Sequence, residues 1–197
     1  MILKIDKGIF DVDLSAFNQY LSWCGDFGFF PMEPGQNHHK LLAYLVSQLS
    51  AGSLVADLGT HQGASALALA YNPNVLVLSF DISMHFEPTK KSFRDLPNVT
   101  FILNDCLNCI DMYQTAKIIM LDVNPHDGKQ ERKLLLELME RDYKGIVICD
   151  DIHLNDEMKE FWNSIVGGKK LDVTKYGHWS GTGVVIFDPQ TLDVEVM

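Results

Sequence analysis

The feature of this 197-residue chain that most restricts its fold is a repeated pairing of a short apolar run with a helical pattern. Helical patterns at 63–71, 88–96, near 107–113, 129–142 and 155–166 follow the apolar runs. Because such runs have no polar face, a sheet built from them must be covered on both faces, which is typical of parallel strands joined by helices. The runs are SLVADL (53–58), VLVLSFDI (75–82), VTFIL (99–103), AKIIMLDV (116–123) and GIVICDD (145–151).

Further segments complete the predicted architecture at both ends of the chain. KKLDVTKY (169–176) and GVVIFDP (183–189) flank the loop GHWSGT and are predicted to be strands. Residues 13–24 and 38–49 are predicted to be helical. The chain therefore predicts an open α/β sheet, whose ligands collect beyond the carboxyl ends of the strands.

Composition and charge exclude several classes of function. The formal net charge of −10 makes a broad phosphate-binding surface, and so a nucleic-acid partner, a poor prediction. No apolar run approaches the roughly 20 residues that a membrane helix needs, and the start MILKIDKGIFDVDL lacks a secretory signal pattern. The four cysteines show no disulfide framework, and the Cys106–Cys109 pair lacks a second pair to complete a zinc site. We predict a cytoplasmic protein without nucleic-acid or membrane partners.

Acidic or amide side chains end every predicted parallel strand of the core. Aspartate and asparagine are also common turn residues, so most of these positions have a structural interpretation. Asp150 and Asp151 differ, because two adjacent carboxylates leaving a buried strand repel each other unless a positive charge neutralises them. The strand-end residues are Asp57, Asp81, Asn104 with Asp105, Asp122, and Asp150 with Asp151.

The first strand-to-helix junction, VADLGTHQGASALALA (55–70), indicates the kind of ligand. Gly59 permits a tight turn and Gly63 a close approach of the helix, but their spacing is not the G-x-G-x-x-G of dinucleotide binding. An acid beside a helix start suits a ligand with both an ammonium and a carboxylate group. Asp81 follows Gly63 by 18 residues (81 − 63), where an acid can accept both hydroxyls of a ribose. Together these features point to S-adenosylmethionine.

At these motifs the sequence resembles the class I S-adenosylmethionine-dependent methyltransferases, in the metal-dependent O-methyltransferase branch related to catechol and sugar O-methyltransferases. The resemblance spans about residues 36–188 through VADLGTHQGASAL, LSFDIS, NDCLN, LDVNPHDG and ICDDIHLNDEMKEFW. It implies a Rossmann-like three-layer sandwich with a mostly parallel seven-stranded sheet and an antiparallel last strand. It also implies one domain over 1–197, with an N-terminal helical or lid segment (1–50) and a cofactor-binding core (51–190).

The resemblance further implies roles for particular residues. The methionine end of the cofactor is expected near the first motif, the ribose at Asp81, and the adenine beside Ile82 and near Asp105 and Cys106. The first-motif residues expected to bind the cofactor are Asp57, Gly59, Thr60, Gly63 and Ser65. The residues expected to bind a divalent cation are Asp122, Asp150 and Asp151.

Carboxylate ligands favour Mg²⁺ or Mn²⁺, and a bound cation lowers the pKa of an acceptor hydroxyl. The proton must then pass to a base with a pKa near neutral, for which histidine is the natural side chain. We predict His126 as this base because it follows Asp122 in a loop, with His153 as the second choice. Lys129 is a third choice on the condition that its pKa is depressed.

The leading prediction is a cation-dependent O-methyltransferase acting on a small-molecule or glycan acceptor, a sugar diol in particular, because two adjacent acids resemble the sugar-modifying relatives. A catechol or phenolic acceptor and a non-catalytic cofactor-binding module are the alternatives, and a nicotinamide dehydrogenase is disfavoured by the glycine spacing. His38, His39 and Trp179 are candidates for the acceptor side. The sequence leaves the acceptor and the oligomeric state open.

Overall fold

The computed structural model describes residues 1–20, 37–85 and 96–197. Within these ranges the strands are β1 (Ile2–Ile5), β2 (Leu54–Leu58), β3 (Leu76–Asp81), β4 (Val99–Leu103), β5 (Ile118–Leu121), β6 (Ile146–Asp150), β7 (Lys169–Asp172), β8 (Thr182–Ile186) and β9 (Asp193–Val196). Seven of them form the sheet at the centre of the protein, in the order β4-β3-β2-β5-β6-β8-β7.

The pairing of the strands confirms the predicted fold class. Strands β2 to β6 pair in parallel with their neighbours, whereas β8 runs antiparallel to both β6 and β7. The chain proceeds from β2 outward through β3 and β4, then returns to the other side of β2 as β5. This reversal between β2 and β5 creates the crevice at which open α/β sheets bind their ligands.

Helices cover both faces of the sheet and bury two apolar cores. The first core joins β2 and β3 to the helices His38–Ser47 (α1) and Ala64–Leu69 (α2) through residues such as Leu41 and Leu67. The second lies on the opposite face and includes Phe80, Tyr113 and Phe161. The helices are α1 (His38–Ser47), α2 (Ala64–Leu69), α3 (Ile110–Tyr113), α4 (Lys129–Glu140) and α5 (Asp156–Ser164).

Local signals place the last of these helices. The side chain of Asn155, the N-cap of α5, accepts a hydrogen bond from the Met158 N–H (2.8 Å). Met158, Phe161 and Trp162 share one face of the helix and are buried in the second core. In the part of the chain that the structure describes, no helix has the length and apolar character needed to cross a membrane.

The structure differs from the predicted elements mainly near the chain ends. Strands β1 and β9 pair in parallel as a separate two-stranded sheet that was not predicted. In the segment 13–24, Ser15–Tyr20 form a 3₁₀ helix instead of an α-helix, and the last four residues lie outside the described ranges. The predicted helix at 88–96 lies, apart from its last residue, outside them too. The segment near 107–113 is a 3₁₀ turn (Cys106–Cys109) followed by α3.

Candidate functional site

Backbone hydrogen bonds join the carboxyl ends of β2, β3 and β5 at the crevice. The N–H groups of Gly59 and Thr60 donate to the Phe80 carbonyl (2.9 and 3.2 Å), and the Asp122 N–H donates to the Leu58 carbonyl (2.9 Å). A cavity of about 580 Å³ opens at this junction. The predicted site residues that line it are Gly59, Asp81, Ile82, Asp105, Cys106, Asp122 and His126.

Two glycines shape the first loop of the site. Gly59 has φ +97°, and a Cβ atom there would lie 1.7 Å from the Asp122 carbonyl oxygen. Gly63 has φ +90° and precedes α2 as its N-cap. Only glycine adopts these conformations at little cost, and at Gly59 the close approach of β5 adds a steric reason. The loop can therefore lie directly against the residue predicted to bind the cation.

Buried polar atoms without partners lie in and beside this loop. Asp57 is fully buried, and its Oδ2 accepts a hydrogen bond from the Ser79 hydroxyl (2.7 Å). Within the described ranges, Asp57 Oδ1 and the buried Thr60 Oγ1 have no hydrogen-bond partner. Burial raises the pKa of Asp57, and the nearby hydroxyls of Ser79, Ser65 and Thr60 offset this in part. Since unsatisfied buried polar atoms are costly, these two fit a polar ligand group such as the amino-acid end of the predicted cofactor.

The acids predicted to hold the nucleoside, Asp81 and Asp105, also line the cavity. Both carboxylate oxygens of Asp81 accept backbone hydrogen bonds, from His61 (2.7 Å) and Ser83 (2.9 Å), so its orientation is fixed. Ile82 beside it is 74% exposed and presents an apolar surface to the cavity. Asp105 caps the following 3₁₀ turn by accepting from the Leu107 N–H (2.9 Å).

The three aspartates predicted to bind the cation belong to two overlapping sets of ligand atoms. Asp122, His126 and Asp151 form one set, and Asp150, Asp151 and His178 form the other, with the atoms of each set within 4.8 Å of one another. Asp151 therefore belongs to both sets, with Oδ2 toward His126 (3.7 Å) and Oδ1 toward His178 (3.4 Å). Each set combines carboxylate oxygens with an imidazole nitrogen.

Electrostatics in the acidic cluster indicate a need for positive charge. Burial and the neighbouring charge of Asp151 raise the pKa of Asp150 to about 7. Burial and the charges of Asp150 and Asp151 also raise the pKa of Asp122. The Oδ1 atom of Asp150 is buried without a hydrogen-bond partner among the residues of 1–20, 37–85 and 96–197. A divalent cation would supply both the missing charge and the missing partner, so the residues fit such an ion.

The pKa of Asp151, the carboxylate that belongs to both sets, is shifted in the opposite direction to the pKa values of Asp122 and Asp150. Burial opposes ionisation of the Asp151 carboxyl, but the hydrogen bond from Ser180 and the nearby His178 and His126 rings outweigh burial and lower its pKa. Its backbone has φ +59°, a conformation rare for residues other than glycine and often found at functional sites.

The candidate bases occupy different environments. His126 lies in the cavity wall with φ +57°, and its Nδ1 is 3.9 Å from Asp122 Oδ1. His153 Nε2 instead pairs with Asp172 Oδ2 (2.8 Å) and belongs to neither set of ligand atoms. Lys129 is a candidate base only if its pKa is depressed. A hydrogen bond to Asp127 instead raises its pKa, and the Lys129 side chain is 84% exposed, so this condition is not met. The geometry favours His126.

His178 is the site residue that sequence reasoning missed. It lies in GHWSGT next to Trp179, and its proximity to Asp150 and Asp151 depends on the pairing of β8 with β6. Its ring lies 4.7 Å from that of His38 and 5.4 Å from that of Trp179. His38 in turn contacts His39 (ring centroids 3.9 Å). These aromatic side chains form a rim beside the acidic cluster.

Comparisons with known proteins bear on the fold. No protein-family model matches the chain, and no curated protein matches it. Similar solved structures include a methyltransferase from Geobacter sulfurreducens (16% identity, TM-score 0.55, covering 75% of this chain and 77% of that one). A candidate caffeoyl-CoA O-methyltransferase from Staphylococcus aureus has 13% identity and a TM-score of 0.55, covering 75% of this chain and 81% of that one. A cofactor-bound protein from MTB has 16% identity and a TM-score of 0.53, covering 76% of this chain and 79% of that one. At these identities the likeness shows a shared methyltransferase-type fold.

Proposed function

We propose that this protein is an S-adenosylmethionine-dependent O-methyltransferase that uses Mg²⁺ or Mn²⁺ and acts on a diol of a sugar, either free or in a glycan. The observation that carries the proposal is the cavity of about 580 Å³, which is lined by Asp81, Asp105, Asp122 and His126. Two positions proposed for the cofactor and one proposed for the cation, Asp122, thus line one cavity, and methyl transfer to a chelated hydroxyl requires such proximity.

The cofactor would lie along the ends of β2, β3 and β4. Its amino-acid end would meet the buried Asp57 and Thr60, whose polar atoms Oδ1 and Oγ1 have no partner among the described residues. The fixed carboxylate of Asp81 would accept the ribose hydroxyls, and Ile82 would pack on the adenine. Gly63 and Ser65, at the start of α2, would lie near the methionine carboxylate.

The chain's own residues would position the acceptor and remove its proton. When bound, the cofactor supplies a methyl group on a sulfonium sulfur, and a cation held by Asp122, Asp150 and Asp151 lowers the pKa of an acceptor hydroxyl. His126, whose Nδ1 faces Asp122 and Asp151, would accept the hydroxyl proton on a ring nitrogen. The Asn155 side chain donates to the His126 carbonyl (3.0 Å) and so holds this left-handed residue in place.

The surface beside the acidic cluster supports a sugar acceptor. Trp179 is 63% exposed and lies next to His178, whose ring is close to that of His38. An exposed indole offers an apolar face to a sugar ring, and the imidazoles offer hydrogen-bond partners to its hydroxyls. A catechol acceptor would need only the apolar face and makes less use of this rim.

Calorimetric titration of S-adenosylhomocysteine, with and without Mn²⁺, tests the proposal on wild type, Asp150→Ala and Asp156→Ala. Asp156 is the matched control because it is an aspartate whose side chain is 97% exposed. We expect cofactor binding in all three proteins and Mn²⁺ binding in wild type and Asp156→Ala only. Absence of cofactor binding in the folded wild type would refute the methyltransferase proposal.

If the cofactor binds, mass spectrometry of reactions with sugar diols and with catechols identifies the acceptor class. Methylation of sugar diols would support the acceptor assigned here. Methylation restricted to catechols would overturn the sugar assignment while leaving the reaction type intact.

A further inference from the structure

The loop that carries His178 is held firmly against the end of β6. The His178 N–H donates to Thr182 Oγ1 (2.8 Å), and the His178 carbonyl accepts from the Gly181 N–H (2.9 Å). Across the loop, the N–H groups of Ile152 and His153 donate to the carbonyls of Gly181 and Ser180 (3.2 and 2.7 Å). The position of the His178 ring next to the two aspartates therefore follows from backbone pairing.

The distances around the ring match those between ligands of one metal ion. His178 Nδ1 lies 3.4 Å from Asp151 Oδ1 and 3.7 Å from Asp150 Oδ1. Direct hydrogen bonds between nitrogen and oxygen are about 2.7–3.2 Å long. Ligands at metal bond lengths of about 2.0–2.2 Å, with angles near 90–110°, are about 2.8–3.6 Å apart. The three atoms are therefore close to the spacing of a coordination polyhedron without a large movement of the backbone.

A second observation points to a missing ligand at this place. Asp150 is 5% exposed, and its Oδ1, the atom nearest His178, is buried without a hydrogen-bond partner among the described residues. A carboxylate that served only as a counter-ion to His178 would instead make a direct hydrogen bond to the ring. In the structure the Ser180 hydroxyl donates to Asp151 and lies 2.6 Å from the ring's Nδ1, so ligation of a metal ion by Nδ1 would replace the contact with Ser180.

We propose that His178 is a nitrogen ligand of the cation at Asp150 and Asp151, so that the centre prefers a transition ion such as Mn²⁺ or Co²⁺ to Mg²⁺. This inference rests on the cation site of the proposed function and deepens it. Mg²⁺ favours oxygen ligands, whereas imidazole suits the later divalent ions, and affinity at a mixed site rises from Mn²⁺ toward Co²⁺. His178 would also bring the metal close to the side chains proposed to bind the acceptor, since its ring lies beside those of His38 and Trp179.

Metal titrations of the metal-free full chain test the assignment. Visible absorption follows Co²⁺ binding, and calorimetry follows Mg²⁺ binding, in wild type, His178→Asn and His153→Asn. His153 is the matched control because it pairs with Asp172 and belongs to neither set of ligand atoms. We expect His178→Asn to lose Co²⁺ affinity by about tenfold or more, to change affinity for Mg²⁺ by less than about threefold, and to shift the Co²⁺ absorption bands. The control should match wild type.

Unchanged Co²⁺ affinity and spectrum in His178→Asn would overturn the proposal, as would a wild type that binds Co²⁺ no more tightly than Mg²⁺. If His178→Asn does not fold, the same titrations are made with His178→Gln. Electron paramagnetic resonance of Mn²⁺ bound to ¹⁵N-histidine-labelled wild type then shows whether a histidine nitrogen is coupled to the ion, and absence of that coupling would overturn the proposal. Titration of S-adenosylhomocysteine separates the two proposals. Loss of cofactor binding with His178-dependent Co²⁺ binding would refute the methyltransferase alone, whereas the reverse result would refute only His178 ligation.

Discussion

Replacement of Gly59 by alanine tests the argument that close packing of the first loop on β5 builds the site. Gly59 has φ +97°, and the new Cβ would lie 1.7 Å from the Asp122 carbonyl oxygen and 2.7 Å from its carbon. The left-handed conformation costs a non-glycine residue about 1–2 kcal/mol. Overpacking against backbone that must move adds about 1–3 kcal/mol, for a total destabilisation of about 2–5 kcal/mol.

Gly52→Ala is the matched control for this substitution. Gly52 also has positive φ, +78°, but a Cβ atom there would meet nothing within 4 Å. The control therefore isolates the conformational cost, about 1–2 kcal/mol, from the clash. The difference between the two variants measures how tightly the loop lies on Asp122.

Urea and thermal denaturation of both variants provide the assay. For a protein of this size each kcal/mol lowers Tm by about 2–4 °C, so we expect a loss of about 4–20 °C for Gly59→Ala and about 2–8 °C for Gly52→Ala. Gly59→Ala should also weaken S-adenosylhomocysteine and cation binding, because Asp122 must shift, whereas Gly52→Ala should bind both normally. Equal destabilisation of the two variants, with intact ligand binding in Gly59→Ala, would refute the reasoning.

Other substitutions probe single features of the site. Asp81→Ala should weaken S-adenosylhomocysteine binding in calorimetry about 10–100-fold through lost charge-assisted hydrogen bonds, and Asp156→Ala should leave it unchanged. In a methyl-transfer assay, His126→Asn should lower kcat about 10²–10⁴-fold and leave the cofactor Kd within about twofold; an unchanged kcat would exclude His126 as the base. In metal-free protein, the raised pKa of Asp150 costs stability as pH rises from its ordinary value near 3.8 to about 7. Asp150→Asn should therefore unfold at higher urea than wild type at pH 8, with the gap closing toward pH 4 by at most about 1.4 kcal/mol per pH unit; a gap independent of pH would contradict this.

The sheet and its covering helices follow from local sequence, because a strand buried on both faces must be apolar throughout. The run VTFIL predicts β4 (Val99–Leu103) with the same bounds as the structure. Strand β1 was not predicted because ILKI is four residues long and its partner, β9, lies near the other end of the chain. A short alternating segment carries too little periodicity to be distinguished from a loop, and its pairing depends on contacts that no local pattern encodes.

The residues of the candidate site likewise fall into those that local sequence predicts and those that only the tertiary structure brings together. Asp57, Asp81 and Asp122 could be predicted because each ends a recognisable parallel strand, and parallel strands bring their carboxyl ends to one edge. His178 precedes an antiparallel strand, and only the pairing of Asp150 with Thr182 brings its loop to the acids. The choice of His126 over His153 likewise depends on side-chain partners that tertiary packing creates.

The sequence by itself therefore determined the layered α/β architecture, the strand-end acids and the glycine junction between β2 and α2. These features are set by the periodicity of apolar residues and by backbone geometry, which act over a few residues. Only the tertiary structure decided that the aspartates predicted to bind a cation divide into two sets, each with a histidine, and that Asp151 belongs to both. That arrangement depends on the order in which strands far apart in the chain pair, which is a property of the whole fold.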